Sequence, residues 1–208
     1  MARRDTAGAI RDTALELFNR FGAPNVTTND IADELDISPG NLYYHFRSRE
    51  QILATLFDAF EGEVLDATTP PEHSAGFDDL WLYLHLMFEV QVRYRFLFRD
   101  LYQLLEQQPA LQRRFRALLE FQRASLQQIV NRLAEAGRLR DTSALQRATL
   151  TRNALLILTC WLGYSRLSED RVGRDPNLAV WQVLSLFEPY LSDTDQRKLE
   201  DLAQQYLA

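Results

Sequence analysis

Apolar residues recur at helical spacing along nearly all of this 208-residue chain, and no stretch alternates with period two for long enough to form a strand. That periodicity restricts the fold to packed helices. From Ile10, the pattern Ala14, Leu15, Leu17, Phe18, Phe21 marks an amphipathic helix that stops at Gly22 and Pro24. Thr27 or Thr28 caps a short helix carrying Ile31, Ala32 and Leu35. Asp36-Ile37-Ser38 makes a turn, and Ser38 caps a third helix with Pro39 at its first position, where a missing N–H costs nothing. Ser48 caps a fourth, with Gln51 placed for a capping box and Ile52, Leu53, Leu56, Phe57 and Phe60 on its apolar face. Asp66 to Gly76, with Pro70-Pro71, reads as a loop. Beyond it, helices are expected over 77–107, 109–136, 143–167, 176–191 and 194–207, with Gly137 a left-handed cap and Asp175-Pro176 a helix start.

Composition narrows the class. At 46% hydrophobic and 25% charged residues the chain can build a core and is not a disordered one. The single cysteine, Cys160, excludes an internal disulfide framework and suits a reducing cytoplasm, the expected location. Arg3, Arg4, Asp5 and Arg11 open the chain with no apolar run behind them, so no signal peptide is read. The longest apolar run, Ala154 to Leu158, falls far short of the roughly 20 residues of a membrane span. No nucleophile–base pair, metal-ligand cluster or Gly-rich phosphate loop is apparent, so neither an enzyme nor a cofactor or metal is expected. His45 has no partner at metal-ligand spacing.

Two short helices joined by a tight turn, with a third in front, are the parts of a DNA-reading helix-turn-helix. Ile31, Leu35, Ile37, Leu42 and Phe46 fall where two crossing helices share a small core, with Ala32 small at the crossing. The other face of the third helix offers Gly40, Asn41, Tyr43, Tyr44 and His45, and its start behind Ser38 suits a phosphate. A face of two turns cannot bury all of its aromatics, although a purely internal role for Tyr43 and Tyr44 stays open here. The net charge of −6 runs against nucleic-acid binding. Local placement runs the other way: no acid lies between Ile37 and Arg49, where His45 and Arg47 sit, and phosphate attraction decays within about 8–10 Å. Arg3 and Arg4 read either as a tail or as an arm for the minor groove.

The run Thr27-Thr28-Asn29-Asp30-Ile31-Ala32, followed by residues Ile37 to Glu50, resembles the N-terminal signature of the TetR family of bacterial regulators over about residues 8–55. The resemblance implies a repressor with a three-helix DNA-binding domain at 1–47 and a larger helical ligand-binding and dimerisation domain at 48–208. It implies a homodimer whose third helices enter successive major grooves of a near-palindromic operator on double-stranded DNA. By motif position, Thr28, Tyr43 and His45 look like phosphate contacts, with Arg49 a further cation, while Gly40, Asn41 and Tyr44 face the groove. Asp36 stands where the family often has Gly, and Arg49 where it often has Lys.

A small-molecule pocket in the second domain is also implied. The helix from Phe77 is apolar over more than half its circumference, through Leu80, Trp81, Leu84, Met87, Phe88 and Val92. His85 beside Glu89 reads either as a boundary histidine or as a polar group orienting an apolar ligand near Trp81 and Phe88, with Leu118, Phe121 and Cys160 lining the same space. The basic–aromatic run Arg93 to Arg99 spreads its arginines around a helix, which favours ion pairs over a second nucleic-acid surface. Asn153 to Tyr164, including Leu156 and Gly163, is apolar on nearly all sides, and Val180, Trp181, Leu184, Phe187 and Tyr190 supply a second apolar helix. These two helices pack either within the chain or against their symmetry mates. A ligand-independent regulator or activator is the alternative function.

Overall fold

The computed structural model describes residues 5–68, 76–165 and 175–207. Its helices are α1 (Thr6–Phe21), α2 (Thr28–Glu34), α3 (Pro39–His45), α4 (Arg49–Thr68), α5 (Phe77–Arg93) and α6 (Arg95–Arg99). They continue with α7 (Leu101–Gln107), α8 (Pro109–Glu135), α9 (Ala144–Tyr164), α10 (Pro176–Ser185) and α11 (Asp193–Leu207). Short 3-10 turns occupy Ala23–Asn25 and Glu188–Tyr190, and the only extended pairing among the described residues is an isolated bridge between Leu139 and Leu191. The all-α expectation holds. No helix among the described residues is long and apolar enough to cross a membrane. Arg3, Arg4 and Pro70-Pro71 lie outside the described residues.

The chain divides into two compact units, the first drawn from residues up to Glu63 and from Tyr94–Arg113. In it α1, capped by the Asp5 carboxylate accepting from Gly8 N–H at 3.0 Å, buries Ile10, Ala14, Leu17 and Phe18. Phe21, expected on that buried face, is 49% exposed: it is the last residue of α1, and the Arg20 guanidinium covers its ring at 4.8 Å. α4 reaches Thr68, so Asp66 to Thr68 are helical and not loop. Its start keeps the Ser48 cap, which accepts from Gln51 N–H at 3.3 Å, but the Gln51 side chain accepts from Arg47 N–H at 2.7 Å, one residue outside the expected box.

The helix expected over 77–107 is three helices, bent at Tyr94 and Asp100. Neither bend carries Pro or Gly; distant partners make them. Phe96 N–H donates to Asn19 Oδ1 at 3.0 Å, and Asp100 Oδ2 accepts from Ala23 N–H at 3.1 Å. The Tyr94 hydroxyl donates to Glu63 at 2.6 Å, while the Tyr94 and Phe98 rings stand edge-on to Phe60 at 5.6 and 5.8 Å. Tertiary contacts override a continuous helical ladder there.

The second unit comprises the described residues of Val64–Arg93 and from Arg114 onward. α10 packs against α5, α9 and α11. α8 ends as expected at Gly137 (φ +69°), and α9 opens on a Ser143–Gln146 capping box. Asp175 caps α10, which stops at Ser185 and not at Leu191. The cause is Pro189, which lacks the N–H that would donate to the Ser185 carbonyl in a continued α-helix, and the chain goes on as the 3-10 turn Glu188–Tyr190.

Candidate nucleic-acid interface

The reading head is assembled from short helices whose ends are chemically fixed. Thr27, not Thr28, caps α2: its Oγ1 accepts from Asp30 N–H at 3.2 Å while Asp30 Oδ2 accepts from Thr27 N–H at 2.7 Å. These bonds from the Thr27 N–H, and then its hydroxyl, hold the Asp30 carboxyl below its ordinary pKa. The box therefore contributes fully above the ordinary carboxylate range of about pH 4 and loses its contribution as the pH falls through the lowered value. Thr27→Ala is expected to cost about 0.5–2 kcal/mol. In acid titrations followed by circular dichroism, Asp30→Asn should lack the part of the wild-type loss that falls below about pH 4.

The turn after α2 places Asp36 at φ +52°, the left-handed conformation expected of it, and returns Ile37 N–H to the Ala32 carbonyl at 3.0 Å. Ser38 accepts from Asn41 N–H at 3.2 Å and Pro39 opens α3. Ile31, Ala32, Leu42 and Phe46 are buried and fasten α2 to α3, whereas Leu35 and Ile37, expected beside them, are only half-buried because the chain turns outward at Asp36. With those anchors inside, the opposite face of α3 stands free. Ser38, Gly40 and Asn41 are exposed, Tyr43 is 47% and Tyr44 82% exposed, and half-exposed His45 lies edge-on to Tyr44 at 5.1 Å. An internal role for the two tyrosines is thereby excluded. Half-buried Thr28 brings its hydroxyl to 3.0 Å from the Tyr43 hydroxyl, so two polar groups from different helices meet at one point.

Arg49 has partners within the protein. Its Nη1 donates to the Ala23 carbonyl at 2.8 Å and its Nε lies 3.7 Å from Glu50, so the guanidinium also serves the head internally. Arg47, which was not singled out as a contact, is exposed just beyond α3. The acid-free stretch around it was the signal that could have found it.

The expected pocket residues do not share one space. Trp81 stacks on His85 at 5.2 Å and donates through Nε1 to the Tyr206 hydroxyl at 2.7 Å, beside a groove of about 440 Å3 against α11. His85 Nε2 lies 3.3 Å from Glu89, while its buried Nδ1 has no hydrogen-bond partner, so both readings of this histidine keep support. Phe88 is fully buried and meets Trp161 edge-on at 5.4 Å; Leu118 is buried and Phe121 is 40% exposed. Cys160 is exposed, on a different groove of about 280 Å3 lined by Leu156, Ile157, Trp161, Tyr164 and Gln182. Of the expected dimer residues, Leu156 is 62% exposed and Gly163 and Trp181 half-exposed, but Leu184 and Phe187 are fully buried among α10's own neighbours and have no face to offer a second copy. In the basic–aromatic run, Arg99 pairs with Asp100 at 3.3 Å.

Residues 10–56 match the model of bacterial regulatory proteins of the tetR family, and residues 59–199, more than half of the chain, match that of a bacterial transcriptional repressor. The chain belongs to the TetR family. A TetR-family regulator from Marinobacter aquaeolei VT8 has a solved structure that is 33% identical, with a TM-score of 0.88 over 97% of this chain and 98% of that one. A TetR regulator from Haloarcula marismortui, 20% identical with a TM-score of 0.70 over 91% of this chain and all of that one, shares the fold. Among curated relatives, the probable acrEF/envCD operon repressor of Escherichia coli K12 is 34% identical over 58 residues, 25% of this chain and 26% of that protein. The Staphylococcus aureus regulator IcaR, a negative transcriptional regulator of a biofilm operon, is 31% identical over 90 residues, 41% of this chain and 47% of its own length. The similarity thus spans less than half of either repressor. This TetR protein is a helix-turn-helix transcriptional regulator with repressors among its relatives.

Proposed function

We propose that this regulator is a dimeric repressor that reads a near-palindromic operator through α3 and is released by a small, uncharged, largely apolar ligand. The observation that carries the DNA half is the free face of α3, where Asn41, Tyr43, Tyr44 and His45 project while Leu42 and Phe46 anchor the helix from behind. Thr28, Tyr43 and His45 hold phosphates, exposed Ser38 flanks them, and Gly40, Asn41 and Tyr44 meet the base edges. Operator reading is assigned to residues 1–47, and dimerisation and ligand binding to residues 48–208, of which 48–63 and Tyr94–Arg113 belong to the same compact unit as the reading helices. Leu156, Cys160, Tyr164, Gly163 and Trp181 give the second copy an apolar seat on α9 and α10, self-complementary about a two-fold axis.

The ligand half draws support from the interior of the second unit. Gln91 Oε1, Thr151 Oγ1 and Trp161 Nε1 are buried without a hydrogen-bond partner, on residues at most 3% exposed, and such groups ordinarily find one. All three are neutral, which suits an uncharged guest.

Selection of bound duplexes from a random pool tests this reading. An inverted repeat is expected, with half-site centres about 34–36 Å apart or a whole number of turns further. Enrichment of a lone half-site overturns the dimer, and no enrichment overturns DNA reading. The selected duplex is then titrated with a panel of uncharged apolar compounds; a complex that none of them releases overturns the sensor.

A further inference from the structure

The corner between α1 and α2 is held by side chains that none of the operator contacts requires. Ala23, buried at 2% exposure, is engaged at both of its backbone polar groups. Its N–H donates to Asp100 Oδ2 at 3.1 Å, and its carbonyl accepts from Arg49 Nη1 at 2.8 Å. Asp100 sits at the bend between α6 and α7, and Arg49 is the first residue of α4. Two elements distant in sequence therefore grip one residue from opposite sides.

Arg99 completes the arrangement. Its Nε lies 3.3 Å from Asp100 Oδ1, and its terminal nitrogens donate at 3.5 Å to two carbonyls in the last turn of α1, that of Arg20 and that of Phe18, which also accepts from Gly22 N–H at 2.9 Å. The Arg99 and Asp100 side chains are only 17% and 15% exposed, so solvent screens this pair far less than a surface pair. Gly22 has φ +94°, and the Arg99 guanidinium fills the space where a Cβ on Gly22 would stand. The conformation favours glycine there, and any side chain would also displace the Arg99 guanidinium.

α1 packs on both α2 and α3, so the angle of this corner sets the direction in which α3 points. We propose that Asp100, braced by Arg99, and Arg49 are positioning residues for operator binding. They fix the tilt of the reading head through Ala23 and touch no DNA themselves. The inference rests on the operator-binding reading above, because a dimer matched to half-sites one turn apart tolerates little change in tilt.

The test compares full-length wild type, Asp100→Ala and Asp100→Asn. It measures Ala23 amide exchange, affinity for the selected duplex, and affinity for duplexes with one base pair added or removed between half-sites. Asp100→Ala should speed Ala23 exchange, weaken the selected duplex about tenfold or more, and blunt the preference for the selected spacing, a coupling of ordinary size between separated sites. Asp100→Asn keeps an oxygen acceptor and should restore most of all three. If Asp100→Ala fails to fold, Arg49→Gln must blunt the same preference while the Ala23 amide stays protected. Wild-type spacing preference with affinity within about twofold overturns positioning and leaves DNA reading standing, and so does a lower melting temperature with the preference unchanged. If wild type binds no duplex, DNA reading fails and this proposal fails with it, whatever the Ala23 exchange shows.

Discussion

Leu184→Ala is expected to lower the unfolding free energy of this chain by about 2–5 kcal/mol, and to do so equally at low and high protein concentration. Leu184 is fully buried, as are Ala179, Val180 and Val183, and α10 sets them against α5, α9 and α11 of the same unit. Truncation there leaves a cavity in a core that belongs to one copy. Leu156→Glu is the matched control: that side chain is 62% exposed on α9. It should leave the stability of dilute protein within about 0.5 kcal/mol and shift sedimentation from dimer to monomer. Denaturant melts across a hundredfold range of concentration separate the two. Should the Leu184 loss appear only at concentrations where dimers form, α10 shares its core with a partner and its assignment to one copy is wrong.

This contrast shows where sequence reasoning reached and where it stopped. The periodicity of α10 shows a helix apolar on most sides, but says nothing of whether its cover comes from the same chain. The reading head was legible because its determinants are local. Thr27 and Asp30, Ser38 and Pro39, and the left-handed Asp36 each act over three or four residues, and a cap or turn leaves its mark at the position where it works. Pro189 was equally local, and the end of α10 could have been read from it. The bends at Tyr94 and Asp100 were not readable, because Asn19 and Ala23, which make them, lie 77 residues upstream. The fate of Arg49 has the same origin. A long cation at the start of a helix reads as a phosphate contact, and nothing nearby in sequence signals that the fold also places the Ala23 carbonyl within its reach.

Tyr44→Ala should weaken the selected operator by about 1–3 kcal/mol, roughly 5- to 150-fold, while changing affinity for a scrambled duplex far less. Tyr44 is the most exposed aromatic side chain of the head, and the ring of His45 against its edge limits its freedom. Little rotamer entropy is then lost when it enters a groove, and its deletion removes contact with bases more than with the backbone. Tyr43→Phe should behave differently. It deletes only the hydroxyl that meets Thr28 at 3.0 Å, so it should weaken selected and scrambled duplexes alike, by about 0.5–1.5 kcal/mol. Neither change removes a charge, so the slope of log affinity against log salt should match wild type in both. Fluorescence anisotropy on the two duplexes at several salt concentrations gives every quantity needed. Equal losses on both duplexes for Tyr44→Ala would move that residue from base reading to backbone contact. An unchanged affinity in both variants would remove the free face of α3 from the interface altogether.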